Sequence, residues 1–592
     1  MVFQLPQTVN TVPQVYEDAT SPGAEPLLNF LLKFGTEESD YLNAIKNIDS
    51  KLLWGIGHEV LKWPSNNTND AGDDSVKDES TQIEDAYLKI IKGRGLPPVS
   101  SGLTITIIGA GIAKFNVRIL EASSRVGGRV VTLRDPLFAP GLHAEGGAMR
   151  IPQNHFLLHA YIRRFGIDSL SSFEMNTKFI YLSGYGTTMT YEDFNRKLVE
   201  REPKLLSLFP NLKESEKGKT CDDLFFEAVK PVVELFKEWY AQGNDEPTKT
   251  RTAYQKVTEK YDKYSLRSYL DEVACWSADA IRLYDLGNAH VVFENGFIES
   301  WKDAFLSSST SGAAAGMKQL QHGMDQVPKA FINSNRKRNS LAENITYGAR
   351  VTHVADIAPT GDTPAQVRLS TTSDFVIFAI PYGAQRVITK SRPFTPAKEQ
   401  AIQDVRYVEV TKVLLQYQKR WWETIFKKNC QGTDGGVVSD LPIRYTMIPK
   451  AEDNSQHENT ERGTIIASYT FQQDATILRA MSPERRVHIA AKNLDQIFPS
   501  AASLQYLEAG ASQVFPSDEL AGGSAFCYFG PGQKSKYLEI MCTPDWESPE
   551  GSDKFQAFFA GEQASYTHGW IHGAIEAGLR CAQQLHRQWV DK

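Results

Sequence analysis

Cysteine is scarce in this chain of 592 residues, with six thiols and no C-x-x-C spacing among them. A scattered set of this kind is typical of reduced thiols and argues against a disulfide framework. It also provides no zinc-binding cysteine set. Neither a P-loop nor a nucleophile elbow is present. The sequence therefore gives no support to a disulfide-stapled protein, a zinc-thiolate site, a P-loop NTPase or a serine hydrolase.

Long apolar runs are missing too, since no stretch approaches the roughly 18 apolar residues that a membrane span needs. Residues 1–15 have neither the basic nor the apolar part of a secretory signal. We therefore expect no membrane span and a cytoplasmic or other intracellular location. The net charge of −7 makes nucleic acid an unexpected partner.

The length predicts roughly three or four domains. Residues 65–85 are rich in Asn, Asp, Ser and Glu, and we expect a disordered acidic loop there. Residues 155–310 read mainly as helices, and Ser482 and Pro483 are typical of the start of another helix. Apolar, β-branched segments predict strands at 103–108, 117–120, 130–133, 351–355, 375–380, 413–417 and 465–469.

A glycine turn follows the first predicted strand, as Gly109-Ala110-Gly111. Glycines here would let the backbone approach a pyrophosphate, and Glu121 at the end of the next strand would accept from ribose hydroxyls. A second glycine pair then leads into Arg129, which suits another close approach to phosphate. These features together predict a bound dinucleotide, namely FAD.

The run IIGAGIA…ILEASSRVGGRV resembles the front of the flavin-dependent amine oxidase family. The resemblance adds Ala122 to the expected FAD-binding residues. The chain departs from the family at Lys114, where a third glycine is expected, and only eight residues separate the two predicted strands. Glu121 lies 12 residues beyond Gly109 instead of about 20. We hypothesise that about ten residues are missing, through a faulty gene model, a splice variant or a degraded copy; the alternative is that a short connection is tolerated.

The run Glu145 to Pro152 resembles the G-x-M-R-x-P segment of the L-amino-acid oxidases. Arginine can form a bidentate, charge-assisted pair with a carboxylate. The resemblance therefore implies that Arg150 binds the substrate α-carboxylate. It also places Gly147, Ala148, Met149 and Arg150 beside the flavin.

Three further segments resemble parts of the same family. Lys412 lies in an apolar strand, where a lysine is costly unless its ammonium finds a partner, and the resemblance implies that it holds a water beside flavin N5. Val351 matches the residue whose backbone meets the adenine. A tyrosine that contacts the carboxylate falls on Met447 in direct register, so Tyr445, two residues earlier on the same strand face, is our candidate.

The closest match is at the C-terminus, in FAGEQ followed by YTHGWI. Glu562 suits a ribitol or pyrophosphate contact, and the final helix would direct its N-terminus at phosphate. The resemblance implies that Gly569, Trp570 and Ile571 contact the cofactor, with Gly569 and Trp570 also lining the substrate pocket. No cysteine lies here, so we expect non-covalent FAD.

Histidines at 155 and 159 have the spacing of a helical metal pair. No third ligand is evident nearby, so we expect ordinary helix histidines and no metal. Spacing alone does not identify a catalytic histidine in the helical block.

The resemblance covers residues 100–592 and implies an α/β fold. Its parts are a Rossmann-like FAD domain (100–150, 312–395 and 550–592), a helical insert (151–311) and a mixed-sheet substrate domain (396–549), after an arm at 1–99. It implies FAD-dependent oxidation of L-amino acids by O2 to 2-oxo acids, ammonia and hydrogen peroxide, and a homo-oligomer is possible. The alternatives are another amine or polyamine oxidase, an amino-acid 2-monooxygenase, or a catalytically impaired homologue.

Overall fold

A computed structural model describes residues 87–92, 104–109, 116–242, 246–288, 292–307, 317–333, 341–357, 366–368, 372–430, 432–450, 461–499, 501–502, 504–547 and 555–590. The predicted acidic loop at 65–85 lies outside these ranges. So do Gly111 and the rest of the connection that follows Gly109.

The first sheet joins the two ends of the chain. Its central strand, Thr104–Ile108, lies between Phe375–Phe378 and Asn116–Leu120, and all three are parallel. Phe555–Phe559 pairs with Phe375–Phe378, so the front and the back of the chain become close neighbours. In spatial order the strands are Asp545–Glu547, Phe555–Phe559, Phe375–Phe378, Thr104–Ile108, Asn116–Leu120 and Ile345–Thr346. Apolar residues fill the middle of this sheet, as expected of parallel strands covered on both faces.

The connection between the first two strands is unusually short. Thr104 faces Asn116 and Ile108 faces Leu120 in parallel register, and the Gly109 N–H donates to Leu120 O at 2.9 Å. Seven residues, 109–115, therefore make a parallel crossover that ordinarily takes at least about 10–12. The predicted pairing of these two strands is present despite the shortened connection.

The second sheet is larger and mostly antiparallel. Its longest pairing joins Val410–Tyr417, which is buried throughout, to Gly463–Phe471, which is mostly buried. In spatial order the strands are Leu507–Val514, Val410–Tyr417, Gly463–Phe471, Tyr445–Ile448, Gly435–Ser439, Thr177–Tyr181 and Thr188–Thr190.

The last two strands lie in residues 151–311, which the sequence predicts to be a helical insert. They pair into the second sheet. Their sequences, TKFIY and TMT, are too short to show a clear periodicity. They form strands because Thr177–Tyr181 pairs with the distant strand Gly435–Ser439 and Thr188–Thr190 pairs with Thr177–Tyr181. Thr190 then caps the next helix by accepting from the Asp193 N–H.

Smaller sheets complete the strand set. They pair Thr132–Leu133 with Ala144–Glu145, Leu170–Ser172 with Lys318–Leu320, and Tyr407–Val408 with Phe526–Cys527, and a four-stranded sheet contains Thr372–Ser373, Gln366–Arg368, His353–Ile357 and Thr389–Lys390.

The helices cover the faces of these sheets and form the block between them. Ser482 accepts from the Arg485 N–H ahead of Pro483, so the predicted helix start is confirmed. The helices are Phe156–Phe165, Tyr191–Val199, Pro203–Leu206, Cys221–Tyr240, Glu246–Tyr261, Leu266–Ser268, Ala278–Gly287, Phe297–Ser307, Gln326–Asn333, Tyr382–Gln385, Pro396–Asp404, Trp421–Asn429, Gln472–Arg479, Pro483–Ile497, Gln533–Cys542 and Ile571–Val590, with a π-turn at Tyr269–Val273. Within the described ranges, no helix combines the length and apolar character needed to cross a membrane.

Candidate functional site

A cavity of about 770 Å³ receives side chains from both ends of the chain and from the helical block. Among the described residues it collects every site residue that the sequence suggested, whereas Gly111 lies outside them. The predicted set on its wall is Gly109, Glu121, Ala122, Arg129, Gly147, Ala148, Met149, Arg150, Val351, Lys412, Tyr445, Glu562, Gly569, Trp570 and Ile571.

At one end of the cavity, Glu121 closes the second strand of the first sheet. One carboxylate oxygen accepts from the Ser123 N–H at 2.9 Å and from the Ser123 hydroxyl at 2.7 Å. Val351 borders the same end, next to the Ala349 N–H that donates to Glu121 O at 2.9 Å. The carboxylate is thus held in place at a strand end, which suits ribose hydroxyls.

Glu562 joins three separate segments of the chain at the cavity wall. Its carboxylate accepts from the Arg129 guanidinium at 2.6 Å, from the Cys527 N–H at 3.1 Å and from the Gly569 N–H at 2.9 Å. This carboxylate is nearly buried, and a buried charge is tolerated when it is paired and hydrogen-bonded in this way. One side chain therefore fixes the distance between the glycine-rich front of the chain and the start of its last helix.

The backbone at Gly147 leaves no room for a side chain. A Cβ atom there would lie 2.0 Å from Arg129 O and 2.7 Å from the Val131 nitrogen. The Gly147 N–H donates to Val131 O at 3.0 Å. Glycine is therefore required for this strand to pack against the Arg129 segment while its next residues face the cavity.

Lys412 reaches the same backbone from the second sheet. Its Nζ donates to Gly147 O at 2.6 Å and to Glu145 O at 3.2 Å, and it lies 4.7 Å from the centre of the Tyr469 ring. Burial lowers the pKa of Lys412 to about 7, although Glu145 opposes this shift. Burial likewise raises the pKa of Glu145 to about 7. An amine that can hold or release a proton near neutrality is thus directed at the cavity.

Arg150 also lines the cavity. Its guanidinium carbon is 5.7 Å from the centre of the Trp570 ring, and Nη1 contacts Met175 Sδ at 2.8 Å. Among the described residues it forms no salt bridge, although it is only partly exposed. Tyr445 lies on the same wall, buried, and Arg150 partly offsets the burial that raises the pKa of its hydroxyl. A guanidinium, an indole and a phenol therefore share one region of the cavity.

Met447, the residue in direct register with the family tyrosine, does not line this cavity. Its sulfur instead lies 3.9 Å from the Tyr445 hydroxyl, behind the wall. The structure thus brings Tyr445 rather than Met447 to the cavity.

Several cavity residues were not anticipated from the sequence. Tyr469 faces Lys412 because the two occupy paired positions in antiparallel strands; only knowledge of strand register reveals such a pair. His155 lies on the wall although its spacing to His159 suggested an ordinary helix position. The helical block contributes an apolar part of the cavity wall. Helical periodicity shows that such residues are buried but does not show that they line a cavity; they are Leu158, Phe225, Leu266, Tyr284 and Val292.

The residues present fit a bound FAD. The cavity is lined by a carboxylate at the end of a strand, by glycines at 127 and 128, by the start of a helix and by Gly147 beside Lys412. A Cβ added at Gly128 would meet no atom within 4 Å, so the backbone there faces open space that a phosphate could enter. The described residues hold no cluster of three or more metal-ligating side chains.

Three kinds of comparison agree with this geometry. The family model of the flavin containing amine oxidoreductases matches residues 103–586. The chain is 29% identical to the L-amino-acid oxidase of Daboia russelii, over 85% of this chain and 92% of that protein. It is 27% identical to the L-amino-acid oxidase of Bungarus fasciatus, over 85% and 90%.

Solved structures show the same fold at lower identity. The structure of a triple mutant of putrescine oxidase, redesigned in its cofactor binding, matches with a TM-score of 0.57 at 18% identity, over 82% of this chain and 99% of that one. Cyclohexylamine oxidase from Brevibacterium oxydans IH-35A matches with a TM-score of 0.57 at 17% identity, over 83% of this chain and 99% of that one.

Proposed function

We propose, from the premise that this chain belongs to the flavin-containing amine oxidoreductases, that it oxidises L-amino acids to 2-oxo acids with release of ammonia and hydrogen peroxide. The coarser statement needs no proposal: the chain is an oxidoreductase of the amine-oxidase family, and FAD is the cofactor of that family. What the proposal adds is the class of substrate and the roles of individual residues.

The observation that carries the proposal is that the Arg150 guanidinium lines the cavity without a salt-bridge partner among the described residues. This guanidinium lies beside the Trp570 ring. A partly buried cation without a counter-ion is costly unless a ligand supplies the opposite charge. A carboxylate is the group that a planar guanidinium binds best. Substrates that carry an α-carboxylate satisfy Arg150, whereas simple amines leave it unpaired.

Each residue then has a distinct task in our proposal. Arg150, with Tyr445 nearby, holds the substrate carboxylate, and Trp570 walls the pocket. Lys412, neutral above about pH 7, accepts a proton directly or through a water so that the substrate amine is neutral when it reacts. The cofactor is positioned relative to that amine by Glu121, Arg129 and Glu562. FAD, when bound, supplies the two-electron acceptor and passes those electrons to dioxygen.

The product is an imino acid, which water converts to a 2-oxo acid and ammonia. The apolar wall contributed by Leu158, Phe225 and Leu266 borders the space left for the substrate side chain. We therefore expect uncharged side chains to be preferred, since none of these three residues can pair with a charge.

The test is the absorption spectrum of the purified protein before and after anaerobic addition of substrate. L-amino acids should bleach the flavin bands, and matched amines that lack the carboxylate should bleach them at least about 100-fold more slowly, because they forgo a charge-assisted pair. Aerobic turnover should yield peroxide, ammonia and a 2-oxo acid. Bleaching by amines alone would contradict the assignment and favour an amine or polyamine oxidase.

An amino-acid 2-monooxygenase would share the substrate but not the products. That enzyme class decarboxylates its substrate and forms an amide. Carbon dioxide released in proportion to the oxygen consumed would therefore replace our proposal with this one.

A catalytically impaired homologue is a second candidate, and one observation favours it. Only residues 109–115 connect the two parallel strands at the front of the FAD site, where a helix normally presents its N-terminus to the pyrophosphate. A colourless protein that takes up no added FAD would support this candidate. A yellow protein with a flavin spectrum would exclude it, and sequencing of the transcript would show whether residues were lost from the gene model.

Location and assembly remain predictions from the sequence. All six cysteines are free thiols, and we continue to expect an intracellular enzyme. Whether copies of the chain associate is best settled by its mass in solution.

A further inference from the structure

Three aromatic rings meet where the first helix of the helical block approaches the last helix of the chain. The His155 ring stacks on the His572 ring, with centroids 4.8 Å apart and planes 25° apart. The His155 ring is also nearly perpendicular to the Trp570 ring, with centroids 5.0 Å apart and planes 80° apart, in an edge-on contact. His155 immediately precedes the helix Phe156–Phe165, and His572 lies in the first turn of Ile571–Val590. We refer to His155 and His572 as the histidine pair.

The pair is buried in an unusual way. Both side chains are 3% exposed, and Nδ1 of each has no hydrogen-bond partner within the described structure. Burial lowers the pKa of His155 well below its usual value and lowers that of His572 to about 3. Buried polar atoms are normally satisfied, so within the described structure ring packing, and not a hydrogen bond at Nδ1, holds the pair in place. His155 in addition lines the cavity, which points to a role in the site.

The contacts connect the pair to the proposed carboxylate site. Trp570 contacts the edge of His155 on one side and lies 5.7 Å from the Arg150 guanidinium carbon on another. Arg150 and His155 are five residues apart, on the short segment that enters the first helix. The indole is therefore held between two side chains of one segment, and His572 packs behind His155.

We propose that His155 is a positioning residue: backed by His572, it fixes the Trp570 indole against Arg150 and so sets the geometry with which the carboxylate of a ligand is bound. This inference rests on the proposed function, because it concerns the same carboxylate site. An indole that could rotate away would leave the guanidinium free to change its orientation. A fixed indole keeps the guanidinium directed at the ligand before binding, which reduces the ordering that binding requires.

Two other roles fit the geometry less well. A metal site would need a third ligand, and His159 instead directs Nε2 at Pro152 O, 3.0 Å away. A general base would need a pKa near neutrality, which His155 lacks. Burial is the largest cause of the lowered pKa of all three histidines, and the charges of Arg163, Lys318 and the neighbouring histidines act in the same direction. Backbone hydrogen bonds at Pro152 and His155 oppose the shift of His159 and of His572 without reversing it. The pair therefore stays neutral through the working range.

The experiment compares His155→Leu, which removes the ring, with His155→Phe, which keeps it. Benzoate is the probe, since it offers a carboxylate without undergoing turnover, and its binding to the FAD-loaded protein is followed through the flavin spectrum. We expect the Kd of benzoate to rise about 3- to 10-fold in H155L and to stay within about twofold in H155F, because the edge-on contact survives in the latter. His572→Leu should act in the same direction as H155L.

His159→Phe is the matched control, because His159 lies in the helix that directly follows His155 and has no ring contact with Trp570 within the described structure. It should leave the Kd of benzoate unchanged. In turnover, H155L should raise KM for an L-amino acid more than it lowers kcat, and should leave KM for the corresponding carboxyl-free amine unchanged.

The outcomes separate this inference from the proposed function. If wild-type protein binds benzoate and H155L binds it equally well, the positioning role is wrong and the proposed function stands. The positioning role is also wrong if H155F and H155L lose binding equally, since the polar ring, not the edge contact, would then matter. If wild-type protein oxidises amines but not L-amino acids and does not bind benzoate, both proposals fail.

Discussion

The Nζ of Lys412 lies 2.6 Å from the carbonyl oxygen of Gly147. The lysine comes from the strand Val410–Tyr417 of the second sheet, and the glycine follows the short strand Ala144–Glu145, so one hydrogen bond joins two separate parts of the cavity wall. The backbone oxygens of Gly147 and Glu145 use two N–H directions of the ammonium, and the weaker sulfur acceptor of Met149 lies 3.6 Å away on the cavity wall. This contact and its neighbours give four testable expectations.

Lys412→Met should slow turnover on the order of 100-fold, as expected when a positioned proton-transfer group is removed. The methionine keeps the apolar stem and removes the ammonium. Stopped-flow measurement of flavin reduction and of reoxidation by O2 would show which half of the reaction depends on Lys412.

The matched control is Lys398→Met. Lys398 is equally buried and its pKa is also lowered to about 7 by burial, but its Nζ donates to the carbonyl oxygens of Ile540 and Thr543, away from the cavity wall. K398M should therefore cost about 1–3 kcal/mol of stability and leave the rates of both half-reactions unchanged. Equal rates for K412M and wild type would show that Lys412 takes no part in either half-reaction.

The pKa of Lys412 also predicts how stability depends on pH. Burial lowers this pKa from 10.5 to about 7, so between these values the unfolded chain holds a proton that the folded chain has released. The contribution of Lys412 to the free energy of unfolding should therefore rise with pH in this window, by at most about 1.4 kcal/mol per pH unit. Thermal melts of both apoproteins are compared at about pH 7 and about two and a half pH units higher. The melting temperature of the wild type relative to that of K412M should be greater at the higher pH. Melting curves that keep a constant separation would show that Lys412 is not shifted.

Arg150→Met should raise KM for L-amino acids on the order of 100-fold or more, because removal of one partner from a hydrogen-bonded charge pair costs about 2–5 kcal/mol. The KM for an amine that lacks the carboxylate should not rise. Arg163→Met, which removes an exposed arginine from the neighbouring helix, serves as the control and should change neither value. An equal loss with both substrate classes would show that Arg150 supports the fold rather than the carboxylate.

Two glycines in the cavity wall should respond differently to alanine. Gly147→Ala places a Cβ 2.0 Å from Arg129 O, so the backbone must move, and we expect a loss of about 3 kcal/mol or more. Gly128→Ala meets no atom within 4 Å but retains a φ of +52°, which costs roughly 1–2 kcal/mol. Thermal midpoints of the two apoproteins, measured side by side, check this ranking; a G147A variant as stable as G128A would contradict the packing described for this segment.

Local signals in the sequence predicted much of the fold. The apolar run at 375–380 and the Ser482-Pro483 helix start needed only neighbouring residues to be recognised, and the structure contains both. The glycine and arginine motifs at the two ends also converge on one cavity. Such features depend on backbone geometry over a few residues, which the sequence displays directly.

Features that depend on pairing between distant segments were not predictable in the same way. The strand Thr177–Tyr181 is defined by its partner Gly435–Ser439, far later in the chain. Tyr469 reaches Lys412 only through the register of two antiparallel strands, and His155 meets Trp570 only because two helices approach one another. Tertiary contacts decide these positions, and no short window of sequence contains them.

The three-way contact of Glu562 with Arg129, Cys527 and Gly569 has a consequence for biosynthesis. A ribosome delivers the arginine early and the glycine last, on the order of tens of seconds apart at usual elongation rates. Until then the arginine-bearing front half emerges without the carboxylate that neutralises it. We therefore expect stable binding of the cofactor only after the chain has left the ribosome, and we expect a chain that stalls before its final helix to lose the cofactor.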